Sequence, residues 1–255
     1  MKNKIIFVSI PFELLKDKYL PLVLKEKLNV EITLKAEILD NFSRRDFKEI
    51  AEKLKEAGLK TTIHLPYMDL SLGALDAWIR DTSIKRIIFA IERAIVFDPI
   101  NLVLHSGYHP QGHREVKLFW RDKLIEGLEK ILTVVKDLKL NLALENTFEP
   151  DPEFMKPIFE NIKDLGWCFD PSHAKVFSEE KNELKWLYTL FPYIKEIHCH
   201  DNHGEWDEHL AIGKGIIRFE EIFDFLKKNA LSPILTSEAH TEEDTILNLN
   251  YLNKL

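Results

Sequence analysis

The chain has 255 residues, 45% of them hydrophobic and 30% charged, with a formal net charge of −7. That length makes one large domain or two small ones, no run approaches the roughly 18 apolar residues of a membrane span, and the acidic balance gives no global basic footprint for nucleic acid. Cys168 and Cys199 sit in apolar runs without a CxxC spacing, which reads as reduced thiols in a cytoplasmic protein.

The start, MKNKIIFVSIPFELL, has lysines before a short apolar run. Pro11 and Glu13 break that run and no small-residue cleavage site follows, so 4–10 reads as a first strand and not a signal peptide. No glycine follows it, which removes a GxGxxG nucleotide cradle. VEITLKAE (30–37) is the second strand, ending in Glu37, and SRRDFKEIAEKLKEAG is a helix with Ser43 at its N-cap. KTTIHLP (60–66) delivers His64 and INLVLHSG (100–107) delivers His105. In FWRDKLIEGLEKILTVVKDL, residues Leu124, Leu128, Ile131, Leu132 and Val135 make one apolar stripe at helical spacing. LNLALEN (140–146) ends in Glu145 and LGWCFDPS (165–172) in Asp170, with His173 three residues on. IKEIHCH (194–200) ends in His198 and His200, and SPILTSE (232–238) in Glu238. A last helix begins at Thr241, an N-cap type.

No linker or low-complexity stretch interrupts this alternation, so 1–255 reads as a single domain. Eight strands alternating with eight helices in about 250 residues predict an α/β fold, the (β/α)8 TIM barrel, against a doubly wound open sheet as competitor. In such a barrel the carboxyl ends of the strands share one mouth, where active sites sit. Seven of the eight predicted strands bring an ionisable group there. One His or Glu at a strand end is ordinarily a satisfied structural group. Several carboxylates and imidazoles in one water-poor mouth repel or protonate unless a cation binds them. The mixture of imidazole and carboxylate is that of zinc, manganese or iron, not calcium. The predicted arrangement is therefore a metal site at the C-terminal mouth. Four of the chain's ten histidines fall in IHCHDNHGEWDEH (197–209). His198 and His200 share a strand face, and Asp207 and His209 at i, i+2 can grip one ion from an extended segment. His203, His109, His113 and His240 read as loop residues.

HLPY, LHSG, LALENT, FDPSHA, HCHDN, DEHLAIGKG and SEAH occur in this order over nearly the whole chain. Together they resemble the xylose isomerase-like TIM barrels, which include sugar and sugar-phosphate isomerases and epimerases and endonuclease IV. The isomerase and epimerase branch implies one divalent ion held by Glu145, Asp170, His198 and Glu238. The two glutamates would move a proton on opposite sides of a sugar carbon, with His173 near the substrate. The endonuclease IV branch implies three zinc ions on nine ligands. His64, His105 and Glu145 would hold the first, and Glu145 would bridge to a second held by Asp170, His198 and Glu238. His173, Asp207 and His209 would hold the third, and Tyr67 falls where that branch carries a DNA-entering tyrosine.

The chain departs from the endonuclease pattern. The loop from His198 to Asp207 is shorter, His200-Asp201-Asn202 and Glu208 replace the residues of its motifs, and the DNA-probing insertion after the second strand is missing. Only scattered residues (Arg44, Arg45, Tyr67, Lys175, Lys214) could meet a phosphate backbone, although a basic groove can sit on an acidic protein. Three readings result. The favoured one is a sugar or sugar-phosphate isomerase or epimerase that uses one to three divalent ions, zinc, manganese or similar, with Lys214 as a candidate phosphate contact. The second is a zinc-dependent phosphodiesterase acting on abasic DNA. The third is a non-catalytic barrel that binds metal or sugar.

Overall fold

A computed structural model describes residues 4–255; the first three residues of the predicted domain lie outside the described part. The strands are β1 (Ile6–Pro11), β2 (Asn29–Thr33), β3 (Thr61–His64), β4 (Leu102–His105), β5 (Leu142–Glu145), β6 (Leu165–Phe169), β7 (Ile194–Cys199) and β8 (Ile234–Ser237). All pair in parallel and in chain order, and β1 closes on β8 with Phe7 opposite Thr236. The predicted barrel is the observed one. No helix among the described residues is long and apolar enough to cross a membrane.

Local chemistry explains why the helices start and stay where they do. Ser43 and Asp46 form a reciprocal capping box for the helix Arg44–Glu56, satisfying two otherwise orphaned amides. Thr241 accepts the Asp244 amide at 3.1 Å to open the helix Glu242–Lys254. The helix Lys117–Asp137 buries its predicted stripe together with Trp120, and each such aliphatic residue contributes roughly 1.5–3 kcal/mol on burial.

The second strand differs from expectation at its end. It stops at Thr33, and Glu37 is exposed in the helix Ala36–Asn41. Ala36, Glu37 and Leu39 are good helix formers, and their turn buries Ile38 and Leu39. Six strand ends, not seven, therefore deliver ionisable groups to the mouth. The buried acid of β2 is Glu31. It lies inside the barrel, with Glu196 of β7, Thr62 and Thr236, where branched aliphatic layers are the usual filling.

Candidate metal centre

The strands end where a cup begins. His64, His105 and Glu145 are the last residues of β3, β4 and β5, Asp170 and Glu238 directly follow β6 and β8, and His198 lies within β7. His64, His105, Glu145 and Glu238 line a cavity of about 970 Å³, and Asp170 and His198 are fully buried.

Backbone turns aim these side chains. In the HSG turn, a Cβ on Gly107 (φ +77°) would collide with the Leu70 backbone, so only glycine fits. Asn146, next to Glu145, donates to the Asp170 carbonyl at 2.7 Å and accepts the Asp170 amide at 3.0 Å. Asp170 caps the helix Pro171–Val176 by accepting the His173 amide at 2.7 Å, which leaves its other oxygen for the cup. The loop after β7 is tied by Asp201, whose carboxylate accepts the amides of Gly213, Gly215 and Ile217 at 2.9, 3.0 and 3.0 Å.

Three imidazoles have Nδ1 beside a backbone carbonyl: His64 at 3.0 Å from Leu65 O, His173 at 3.1 Å from Asn146 O, and His209 at 2.8 Å from Glu238 O. A neutral ring that donates there presents a bare Nε2. His64 Nε2 meets His105 Nε2 at 3.1 Å, and the two lie 3.2 and 3.0 Å from Glu145 Oε2. His173 Nε2 and His209 Nε2 lie 3.1 and 3.0 Å from Asp207 Oδ2. Two knots of acceptors thus converge on common points, which needs protons or a cation between them.

Between these knots, His198 Nδ1 lies 3.3 Å from Glu238 Oε2, 3.4 Å from Glu145 Oε1 and 4.0 Å from Asp170 Oδ2. Both His198 nitrogens, His200 Nδ1 and Asp207 Oδ1 are buried without a hydrogen-bond partner. Buried orphans are rare in folded proteins; others include Ser71, Trp120 and Arg121, but these four are gathered in one cup and all belong to ligand types. The donor set fits divalent metal of the zinc or manganese kind.

The carboxylates and imidazoles of the cup shift one another strongly. Burial works against charge on Glu145, but His198 and His105 hold its carboxyl well below the usual range. Burial likewise opposes His173 and His209. The Asp170, Asp207 and Glu145 carboxylates hold His173 well above its ordinary value, and Asp207 and Glu238 hold His209 at about 9.

Nine predicted ligands thus gather at one mouth: His64, His105, Glu145, Asp170, His173, His198, Asp207, His209 and Glu238. Tyr67 joins them, its ring stacked on His105 at 4.4 Å. Lys214 does not: its ammonium pairs with Asp244 at 2.6 Å on the last helix and is no part of the cavity wall, so the structure gives the predicted phosphate contact no support. Lys175 is likewise engaged by buried Glu183 at 3.4 Å. Three neighbours stood outside the predicted ligand set. His200 Nε2 lies 2.8 Å from Asp170 Oδ2, closer than His198; its shared strand face with His198 was the signal. Glu31 sits 3.4 Å from His198 Nε2. Cys168 turns inward beside Glu145 and His198, and burial pushes its thiol pKa well above the ordinary value. His203 pairs with Glu208 in the exposed loop, whereas His240 stacks on His209 at 3.8 Å.

A family model described as xylose isomerase-like TIM barrel matches residues 30–255. An uncharacterized protein of Methanocaldococcus jannaschii is 35% identical over 182 residues, 69% of this chain and 70% of that one. A probable endonuclease 4 of Petrotoga mobilis is 26% identical over 195 residues, 68% of this chain and 66% of that one. Among solved structures, a Thermus thermophilus protein soaked with ZnCl2 has a TM-score of 0.82 at 26% identity, covering 98% of this chain and 96% of that one. A D-tagatose 3-epimerase-like protein has a TM-score of 0.81 at 25% identity, with the same 98% and 96% coverage.

Proposed function

The chain belongs to the xylose isomerase-like TIM barrel family, and from that premise we propose that it is a divalent-metal-dependent isomerase or epimerase of a sugar or sugar phosphate. One observation carries the reading. Glu145 and Glu238, from strands on different sides of the barrel, both approach the same nitrogen of His198, at 3.4 and 3.3 Å. Two carboxylates bordering one cup can serve as base and acid to a single carbon. The likeness to the D-tagatose 3-epimerase-like protein supports the same reaction class.

Glu145, Asp170, His198 and Glu238 would hold the ion, which when bound lowers the pKa of a C–H beside a chelated carbonyl. One glutamate takes that proton and the other returns it. His173, with Nδ1 3.0 Å from Glu145 Oε1, orients that carboxylate. Tyr67, partly exposed over His105, is placed to cover a bound sugar and exclude water. Incubation of ketohexoses, aldoses and their phosphates with manganese-loaded protein in D2O tests this. Loss of a carbon-bound proton signal and appearance of the epimer or isomer is expected; no exchange with any of them counts against it.

A second reading, hydrolysis of a phosphodiester in abasic DNA, is favoured by one feature. The knots His64–His105–Glu145 and His173–Asp207–His209 offer more ligands than one ion uses, and the Petrotoga mobilis relative supports it. Against it, two of the few basic candidates for a phosphate backbone, Lys214 and Lys175, are already paired with acids. Gel shift and nicking of an abasic duplex at two salt concentrations separates the two, because phosphate contacts weaken steeply with salt.

A further inference from the structure

Beneath the cup, two carboxylates lie in the barrel interior at zero exposure, Glu31 and Glu196. Glu196 is satisfied on both oxygens, by the Asn101 amide at 2.7 Å and by the Thr236 hydroxyl. Glu31 is satisfied on one. Its Oε2 accepts from the Thr62 hydroxyl at 3.1 Å, while its Oε1 has no hydrogen-bond partner and faces His198 Nε2 at 3.4 Å. A buried carboxylate with an idle oxygen is costly unless a partner claims it.

His198 differs from three other rings of the cup. His64, His173 and His209 each have Nδ1 next to a backbone carbonyl, with Nδ1 of His173 also 3.0 Å from Glu145 Oε1. His198 has no hydrogen-bond partner at either nitrogen: Nδ1 faces Glu145 and Glu238, and Nε2 faces Glu31. Glu31 stands where the backbone carbonyl stands for those three. An imidazole that offers one nitrogen to a cation must carry its proton on the other, and the group accepting that proton sets the tautomer and the ring orientation.

We propose that Glu31 is a positioning residue, which takes the Nε2–H of His198 and so holds the Nδ1 lone pair toward the metal centre. This role rests on the metal-centre reading but not on which reaction the centre performs. Thr62 in turn steadies Glu31 through its hydroxyl, so the chain of contacts runs β3, β2, β7 and then the cup.

The test uses full-length protein and zinc alone. With 15N-labelled histidine, zinc-loaded wild type is expected to show His198 protonated on Nε2, with Nδ1 carrying the metal-bound signature. Zinc titration is expected to give about 10–100-fold weaker binding for Glu31→Ala. Glu31→Gln, which keeps an acceptor oxygen, is expected to recover most of that loss. Melting curves of the metal-free variants separate a loss of fold from a loss of orientation. His198 protonated on Nδ1 in the wild type, or zinc affinity unchanged in a folded Glu31→Ala, overturns the role of Glu31 while leaving the centre intact. If Glu31→Ala does not fold, the wild-type tautomer alone decides. Wild type that binds no zinc removes the centre and this role together.

Discussion

Glu145 meets four imidazoles, His64 and His105 through one oxygen and His173 and His198 through the other. Replacing it by glutamine keeps the shape and removes the charge that the centre needs. Glu145→Gln and Asp170→Asn are each expected to strip metal and abolish turnover while circular dichroism stays native; full metal content in either variant counts against the site. A different residue tests the barrel interior. Burial, and after it the charge of Glu31, pushes Glu196 up from 4.5 to about 8. A raised folded-state value means the group's contribution is fully present below about pH 4.5. It declines as pH rises to about 8, by up to roughly 1.4 kcal/mol per pH unit. Glu196→Gln keeps neutral partners for Asn101 and Thr236 and is expected to flatten that decline in denaturant titrations between pH 5 and 8; an unchanged slope contradicts the neutral acid. The residues at the strand ends were legible in the sequence because each closed an apolar run with a lone polar group. Glu31 and Glu196 were not, since strands buried on both faces carry no alternation to show which side a residue takes. Glu37 was assigned to the mouth because it closes the run VEITLKAE, whereas the strand stops at Thr33 and the buried acid of β2, Glu31, lies deeper in the barrel.

At the scale of elements, the loop after β7 supplies Asp207 and His209, and its shape depends on Asp201. That residue bridges to Leu210 through both backbone groups, at 2.8 and 2.9 Å, and its carboxylate gathers the amides at 213, 215 and 217. Gly215 has no room for a Cβ, which would meet the Asn202 carbonyl and the Asp201 carboxylate; this is what the final glycine of the GKG turn is for. Asp201→Ala leaves those amides unpaired and is expected to cost about 3 kcal/mol. Amide exchange should accelerate at Gly213, Gly215 and Ile217, and zinc should bind more weakly because two proposed ligands ride on the loop. Unchanged exchange at those three amides would argue that the loop is held by something else. The sequence offered the candidate ligands of this segment through their i, i+2 spacing but not its anchor, because Asp201 reads as one more acid in a histidine-rich run. Lys214, a candidate phosphate contact from the sequence, is paired with Asp244 of the last helix, a long-range contact that local sequence does not show.

Across the molecule, the barrel was readable from regular alternation alone, and the shared mouth followed from it. The cup joins residues from β3 through β8, so an ion bound there ties most of the barrel together. Chelation is expected to lower the melting temperature, and readdition of zinc or manganese to restore it. A free ion at 1,000 times its dissociation constant stabilises by about 4 kcal/mol, a shift on the order of 10 °C for a chain of this size. A melting curve indifferent to chelator contradicts coupling between the metal and the fold.

The most direct measurement is anomalous diffraction from crystals grown with manganese. The account predicts a strong peak within ligand distance of Glu145, Asp170, His198 and Glu238. A well-diffracting crystal with those four side chains ordered and no anomalous density among them would contradict it.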